Sequence, residues 1–177
     1  MTDNSLTLSL ARLPRALGST LHQDLVWLTP DDLGTPSMSA VPGVPLDVSV
    51  DFTSVEDGVL VQLATSVDLV GECVRCLDEV RDHHDVSSAE VYFEPGAPAL
   101  TSSDEEDEEA DDLFVIGERD TINIDTQLRD AIITLVDPLP LCSPDCAGLC
   151  DVCGDKWADL PADHEHFVVD PRLASLA

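Results

Sequence analysis

Six cysteines, Cys73, Cys76, Cys142, Cys146, Cys150 and Cys153, fall into two groups whose spacing suits a metal ion. Tetrahedral zinc takes four soft ligands, and a Cys-x-x-Cys turn lets two thiolates reach one ion. Cys73-Val74-Arg75-Cys76 and Cys150-Asp151-Val152-Cys153 are both such turns. Gly154 follows the second, and a glycine there takes positive φ and lets backbone N–H groups turn toward the sulfurs. Leu77 follows the first, which makes that knuckle the weaker signal read alone. Three arrangements compete. Cys73 and Cys76 can join Cys150 and Cys153 around one zinc, stapling the middle of the chain to its C-terminal segment in a closure that depends on the tertiary fold. Cys142, Cys146, Cys150 and Cys153 can instead bind a metal by themselves; Gly148 makes that loop feasible, but CxxxCxxxCxxC is an uncommon ligand pattern. In the third arrangement, one pair cycles between dithiol and disulfide. That chemistry wants a lowered thiol pKa, commonly at a helix N-terminus, whereas Cys73 precedes a polar, strand-like stretch. Structural zinc is the expectation.

The remaining reactive side chains form no catalytic constellation. His83-His84 lies in a strand-like stretch and reads as a solvated or satisfied pair. His164 and His166 flank Glu165 in a polar tail, where they can extend a metal site, although surface histidines are the commoner case. Carboxylates are too abundant for any pair to stand out as an acid–base couple. No GxSxG nucleophile turn and no phosphate-cradling glycine loop occurs. The chain is not expected to be an enzyme or to take a small-molecule substrate.

The elements that must position the cysteines are legible from periodicity. Leu46, Val48, Val50 and Phe52 alternate with Asp47, Ser49 and Asp51, and Val59, Val61, Leu63, Val67 and Leu69 keep period two after an Asp57-Gly58 turn. This predicts a hairpin with one buried face, with Cys73 and Cys76 in the turn after its second strand and Glu79 to Phe93 returning as a third. Leu6 to Leu10 alternates too, and Leu25 to Leu28 suits a short edge strand before a stretch punctuated by Pro30, Pro36, Pro42 and Pro45. Ile124, Leu128, Ala131, Ile132 and Leu135 recur at helical spacing, with Asp125 or Thr126 as N-cap and Pro138 as stop. The expected architecture is α+β: an antiparallel sheet with a covering helix and a C-terminal cysteine-rich zinc-binding segment at 142–154.

At 177 residues the chain suits a single domain. Residues 95–112 read as a disordered linker, because Asp104 to Asp112 is acidic in eight positions of nine and follows a small, polar stretch. The net charge is −28, from 8 basic and 36 acidic residues, and the basic ones are scattered singly. A phosphate-binding surface clusters its Lys and Arg, so direct RNA contact is left to a local arginine and knuckle surface. A basic protein partner fits better, and so does plain solubility in an organism whose proteins are generally acidic. No run of about 18 apolar residues is present to span a membrane. The N-terminal ten residues lack the positive and apolar regions of a secretory signal. A cytoplasmic location is expected, where reduced thiols favour metal ligation over disulfides.

Cys73-Val74-Arg75-Cys76-Leu77, then Leu139-Pro140-Leu141-Cys142, then Cys146-Ala147-Gly148-Leu149-Cys150-Asp151-Val152-Cys153-Gly154, and finally Asp170-Pro171-Arg172 together resemble the YceD family. These are bacterial and plastid proteins known as large ribosomal RNA subunit accumulation proteins. The resemblance runs from about Leu6 to Leu173. It implies a non-catalytic role in synthesis or accumulation of large-subunit ribosomal RNA, hence in ribosome biogenesis. The implied partners are a ribosomal RNA precursor or a basic large-subunit ribosomal protein; in many genomes the family's gene lies beside that of a small zinc-binding ribosomal protein. Some relatives keep the first cysteine pair and lack the second CxxC, which leaves Cys142 or Cys146 open as alternative ligands for the Cys73–Cys76 knuckle. Two other functions stand beside this one: a thiol-disulfide redox protein, and a metallochaperone that delivers zinc to a ribosomal protein.

Overall fold

The computed structural model describes residues 6–101 and 113–166. Two short strands, β1 (Thr7–Ser9) and β3 (Met38–Ala40), flank β2 (Thr20–Leu28) in the chain. Three long strands follow: β4 (Pro45–Val55), β5 (Gly58–Glu72) and β6 (Glu79–Phe93). A single helical turn, α1 (Pro98–Thr101), precedes β7 (Thr121–Asn123) and α2 (Asp125–Ile133). Among the described residues the protein is thus mostly antiparallel β-sheet with one helix of more than a turn.

Strand β5 is the axis of the main sheet. One edge pairs first with β4, from Val55↔Gly58 to Ser49↔Ala64, and then with β3 around Ser39↔Val70. Its other edge pairs with β6 from Gly58↔Phe93 to Glu72↔Glu79, along the full length of both strands. Beyond β4 lies β2, while β1 and β7 form a separate two-stranded ribbon. The period-two pattern explains the sheet. Val48, Val50, Phe52, Val59, Val61, Leu63, Val67 and Leu69 are all buried, and the intervening Asp47, Asp51, Gln62 and Asp68 face solvent. Glu56 and Asp57 make the two-residue loop between β4 and β5, with Asp57 in the left-handed region at φ +64°. Gly58 is needed next, because a Cβ there would lie 2.3 Å from the Tyr92 carbonyl oxygen of β6. The strand expected at Leu25–Leu28 extends back to Thr20, and its residues Leu21, Leu25 and Trp27 pack on the core.

Ile124, Leu128 and Ile132 are fully buried in the same cluster as the sheet residues. The Gln127 amide of α2 donates to the Val61 carbonyl at 3.1 Å and to Ser88 Oγ at 3.3 Å, pinning the helix to β5 and β6. Neither Asp125 nor Thr126 caps the helix. Ile124 occupies the cap position without a side-chain bond, and Asn123 Oδ1 accepts the Asp125 N–H at 2.9 Å instead. The helix ends at Ile133, well before Pro138, in tightened turns such as Leu135 N–H to Ile132 O at 3.1 Å. Of the stretch expected to be a linker, residues 95–101 are structured: Ala97 is buried and its N–H donates to the Glu94 carbonyl at 2.9 Å. The acidic run Asp104 to Asp112 lies outside the described residues, as does Asp170-Pro171-Arg172. No helix among the described residues is long and apolar enough to cross a membrane.

Candidate metal centres

The turn between β5 and β6 is a knuckle. Cys73 N–H donates to the Asp78 carbonyl at 2.7 Å, and Leu77 N–H donates back to the Cys73 carbonyl at 2.9 Å. Closing this turn requires positive φ at Leu77, which sits at +62°. The C-terminal segment repeats the arrangement. Cys150 N–H donates to the Asp155 carbonyl at 2.7 Å, Gly154 N–H donates to the Cys150 carbonyl at 2.9 Å, and Gly154 has φ +77°. Leu77 therefore does what Gly154 does, against a left-handed penalty of about 1–2 kcal/mol for a residue with a Cβ. The first knuckle was hidden in the sequence by that leucine and is built like the second.

The fold divides the cysteines differently from either metal arrangement expected from spacing. Cys73 and Cys76 meet Cys142 and Cys146, and the four sulfurs lie within 4.8 Å of one another. Cys73 Sγ is 3.8 Å from Cys146 Sγ, and Cys76 Sγ is 3.5 Å from Cys142 Sγ. Four thiolates at the zinc–sulfur distance of about 2.3 Å stand roughly 3.8 Å apart at tetrahedral vertices, so this quartet can close on a zinc ion with little movement. Cys150 and Cys153 are not in it. The staple joining them to Cys73 and Cys76 is not formed, nor is the local Cys142–Cys153 quartet. The cause is the path of the chain after α2. Val74 N–H binds the Pro140 carbonyl at 2.9 Å, and Arg75 Nη1 binds the Cys146 carbonyl at 2.9 Å, so the segment carrying Cys142 and Cys146 is clamped against the first knuckle. The family resemblance left Cys142 or Cys146 open as alternative ligands, and the fold brings both to the Cys73–Cys76 knuckle.

Cys150 and Cys153 instead meet His164 and His166, again with all four ligand atoms within 4.8 Å. Two contacts hold the second knuckle beside the first. Lys156 Nζ forms an ion pair with Asp78, and Gly148 is pressed so close that a Cβ would lie 3.2 Å from the Arg75 carbonyl oxygen. Trp157 N–H closes the loop by donating to the Gly148 carbonyl at 3.0 Å.

Thiol acidity follows the backbone dipoles. The Cys142 N–H, followed by those of Arg75 and Cys76, lowers Cys73 to about 6, despite its burial. For Cys76 the Asp78 N–H pulls downward, but desolvation and the neighbouring sulfurs outweigh it and raise the thiol. Cys142 is raised chiefly by Cys146. Negative sulfurs this close repel one another, and a cation among them is what lets several share the space. In the second group the Cys153 and Val152 N–H groups lower Cys150.

The other histidines are satisfied at the surface: His22 Nδ1 lies 2.8 Å from Asp51, His83 Nδ1 lies 2.6 Å from Asp68, and His84 Nε2 lies 3.2 Å from Asp82. Basic side chains are likewise engaged, Arg15 with Glu94 and Asp120, Arg81 with Glu79, and Arg129 with Asp32 and Asp125.

Fold and site define an antiparallel β protein with one knuckle in the β5–β6 turn and a second in the segment after α2, each with ligand groups that could hold a metal. Residues 61–177 match the model of the family described as "Large ribosomal RNA subunit accumulation protein YceD". The chain belongs to that family. It is 34% identical over 171 residues to an uncharacterised protein of Mycobacterium tuberculosis, covering 97% of this chain and 79% of the relative. The alignment with an uncharacterised Mycobacterium bovis protein gives the same 34% over 171 residues. An uncharacterised Mycobacterium leprae protein is 31% identical over 134 residues, which are 76% of this chain and 58% of the relative. No solved structure matches the chain.

Proposed function

We propose that this protein is a cytoplasmic, non-catalytic ribosome-biogenesis factor that supports accumulation of large-subunit ribosomal RNA, and that Zn2+ bound by Cys73, Cys76, Cys142 and Cys146 is its structural tie. Membership of the YceD family is the observation that carries the ribosomal role. The sulfur spacings support the zinc. A structural site is closed by four protein ligands with no open position for chemistry, which suits a tie between the β5–β6 turn and the segment after α2. The α+β arrangement, with α2 covering part of the sheet and a zinc-binding segment beyond it, is the architecture this reading requires.

The charge of −28, with most described basic side chains already in ion pairs, favours contact with a basic large-subunit ribosomal protein over direct contact with RNA phosphates. Depletion of the protein should lower mature large-subunit RNA relative to small-subunit RNA. An unchanged ratio, with depletion verified, refutes the role.

The lowered Cys73 thiol gives the thiol-disulfide reading its one support. Burial of that sulfur weighs against it, because exchange needs an attacking thiolate to reach the disulfide. Reversible oxidation of the zinc-loaded protein by a glutathione redox buffer, forming a Cys73 disulfide, would favour it.

A further inference from the structure

Two zinc-type knuckles of one construction lie at the same end of this protein, and the sulfur quartet uses only the first. The second turn carries Cys150, which is 3% exposed, and Cys153, which faces solvent. It is closed by the same pair of hydrogen bonds as the first, at the same 2.7 and 2.9 Å. A turn of this form aims two sulfurs at one point, so a second metal needs two further ligands there.

The chain supplies them. Cys153 Sγ is 3.6 Å from His164 Nε2. A sulfur at about 2.3 Å and a nitrogen at about 2.0–2.1 Å from one tetrahedral zinc are separated by roughly 3.6 Å. The rings of His164 and His166 have centroids 4.4 Å apart at 87°, so both reach the same side of the knuckle. Trp157 meets the His164 ring edge-on at 5.5 Å and limits its rotation. Lysine and arginine are absent from this quartet; the nearby Lys156 is turned to Asp78 of the first knuckle.

We propose that Cys150, Cys153, His164 and His166 form a second, independent zinc site of Cys2His2 type, more open than the first and the first to lose its metal. Two thiolates and two neutral imidazoles form a donor set suited to Zn2+. Two of its four ligands, Cys153 and His166, are exposed, against Cys142 alone in the first site, where Cys73 and Cys76 are buried, so a chelator or an accepting protein reaches the second ion more directly. The inference does not depend on the ribosomal role and does not require the first site to be filled.

Zinc content of the purified full-length chain tests it. The wild type should carry two zinc ions, the double variant His164→Ala/His166→Ala should carry one, and Cys73→Ser should lose only the ion of the first site. Cadmium-113 NMR of the wild type substituted with that metal gives a check that needs no variant. Two resonances are expected, one shifted as for four sulfurs and one as for two sulfurs and two nitrogens. A single zinc per chain that persists in the histidine variant overturns the second site and leaves the first intact. Two ions retained in that variant, or two four-sulfur resonances, overturn the histidine ligation. No bound zinc in any form defeats both sites.

Discussion

Replacing Cys142 by serine removes one corner of the sulfur quartet and opens the loop that a metal would close. Cys76 and Cys142 are 66 positions apart, and β6, β7 and α2 all lie between them. Treated as a cross-link on the unfolded chain, closing a loop of that length contributes about 4 kcal/mol. Domains of this size are held together by only about 5–15 kcal/mol in total, so the loss is a large fraction. At roughly 2–4 °C per kcal/mol, the melting temperature should fall by about 10–15 °C. Cys150→Ser should behave otherwise. Residues 151–166 contribute nothing to the buried cluster, so opening the second knuckle frays a local segment and leaves the sheet's melting transition near its wild-type position. The assay is calorimetry in zinc-buffered solution, paired with zinc content for each variant. Should Cys142→Ser melt like the wild type while Cys150→Ser collapses, the assignment of ligands is wrong and the reasoning fails with it.

Leu77→Gly should stabilise the protein by roughly 0.5–1 kcal/mol in denaturant titration. It relieves the left-handed strain at φ +62°, which exceeds the added freedom of glycine in the unfolded chain, and Leu77 is 60% exposed, so little packing is lost. Gln127→Ala should destabilise by about 2 kcal/mol, because it removes the buried amide that donates to Val61 and Ser88; urea midpoints report it. His22 is raised by its hydrogen bond to Asp51 and the charge of Asp24, and His83 chiefly by its hydrogen bond to Asp68. A raised histidine stabilises the fold fully below its unfolded pKa of about 6.5, and the contribution fades as pH climbs through the folded value. The melting-temperature gap between wild type and His22→Gln/His83→Gln should therefore be widest below about pH 6.5 and close toward pH 8.

Local patterning made most of the sheet legible. Alternation from Leu46 to Phe52 and from Val59 to Leu69 marked β4 and β5, and the stretch from Glu79 to Phe93 is β6 to the residue. Strands β3 and β7 were not legible: each is three residues long, β3 lies among prolines, and β7 abuts the helix, so neither carries a period. The helix cap was missed because Asn123 caps from outside the helix, through the Asp125 N–H. The division of the cysteines was least accessible. Spacing pairs residues within a knuckle, but only the hydrogen bonds of Val74 to Pro140 and Arg75 to Cys146 decide which distant pair completes the set. His164 and His166 were legible only as a candidate extension of a metal site, with surface residues the commoner reading, because no spacing rule ties them to one knuckle. Their place after a knuckle with Gly154 was the available clue.

The central claim is that Cys73, Cys76, Cys142 and Cys146 share one zinc ion. It is tested most directly by alkylating the native, zinc-loaded protein and locating the modified cysteines by peptide mass spectrometry, before and after a chelator. The account predicts that these four stay unmodified as a set until the metal is withdrawn and then react together, with Cys150 and Cys153 released earlier, at lower chelator concentration. Modification of Cys142 and Cys146 at the rate of free thiols, while Cys73 and Cys76 remain protected alongside Cys150 and Cys153, would contradict it.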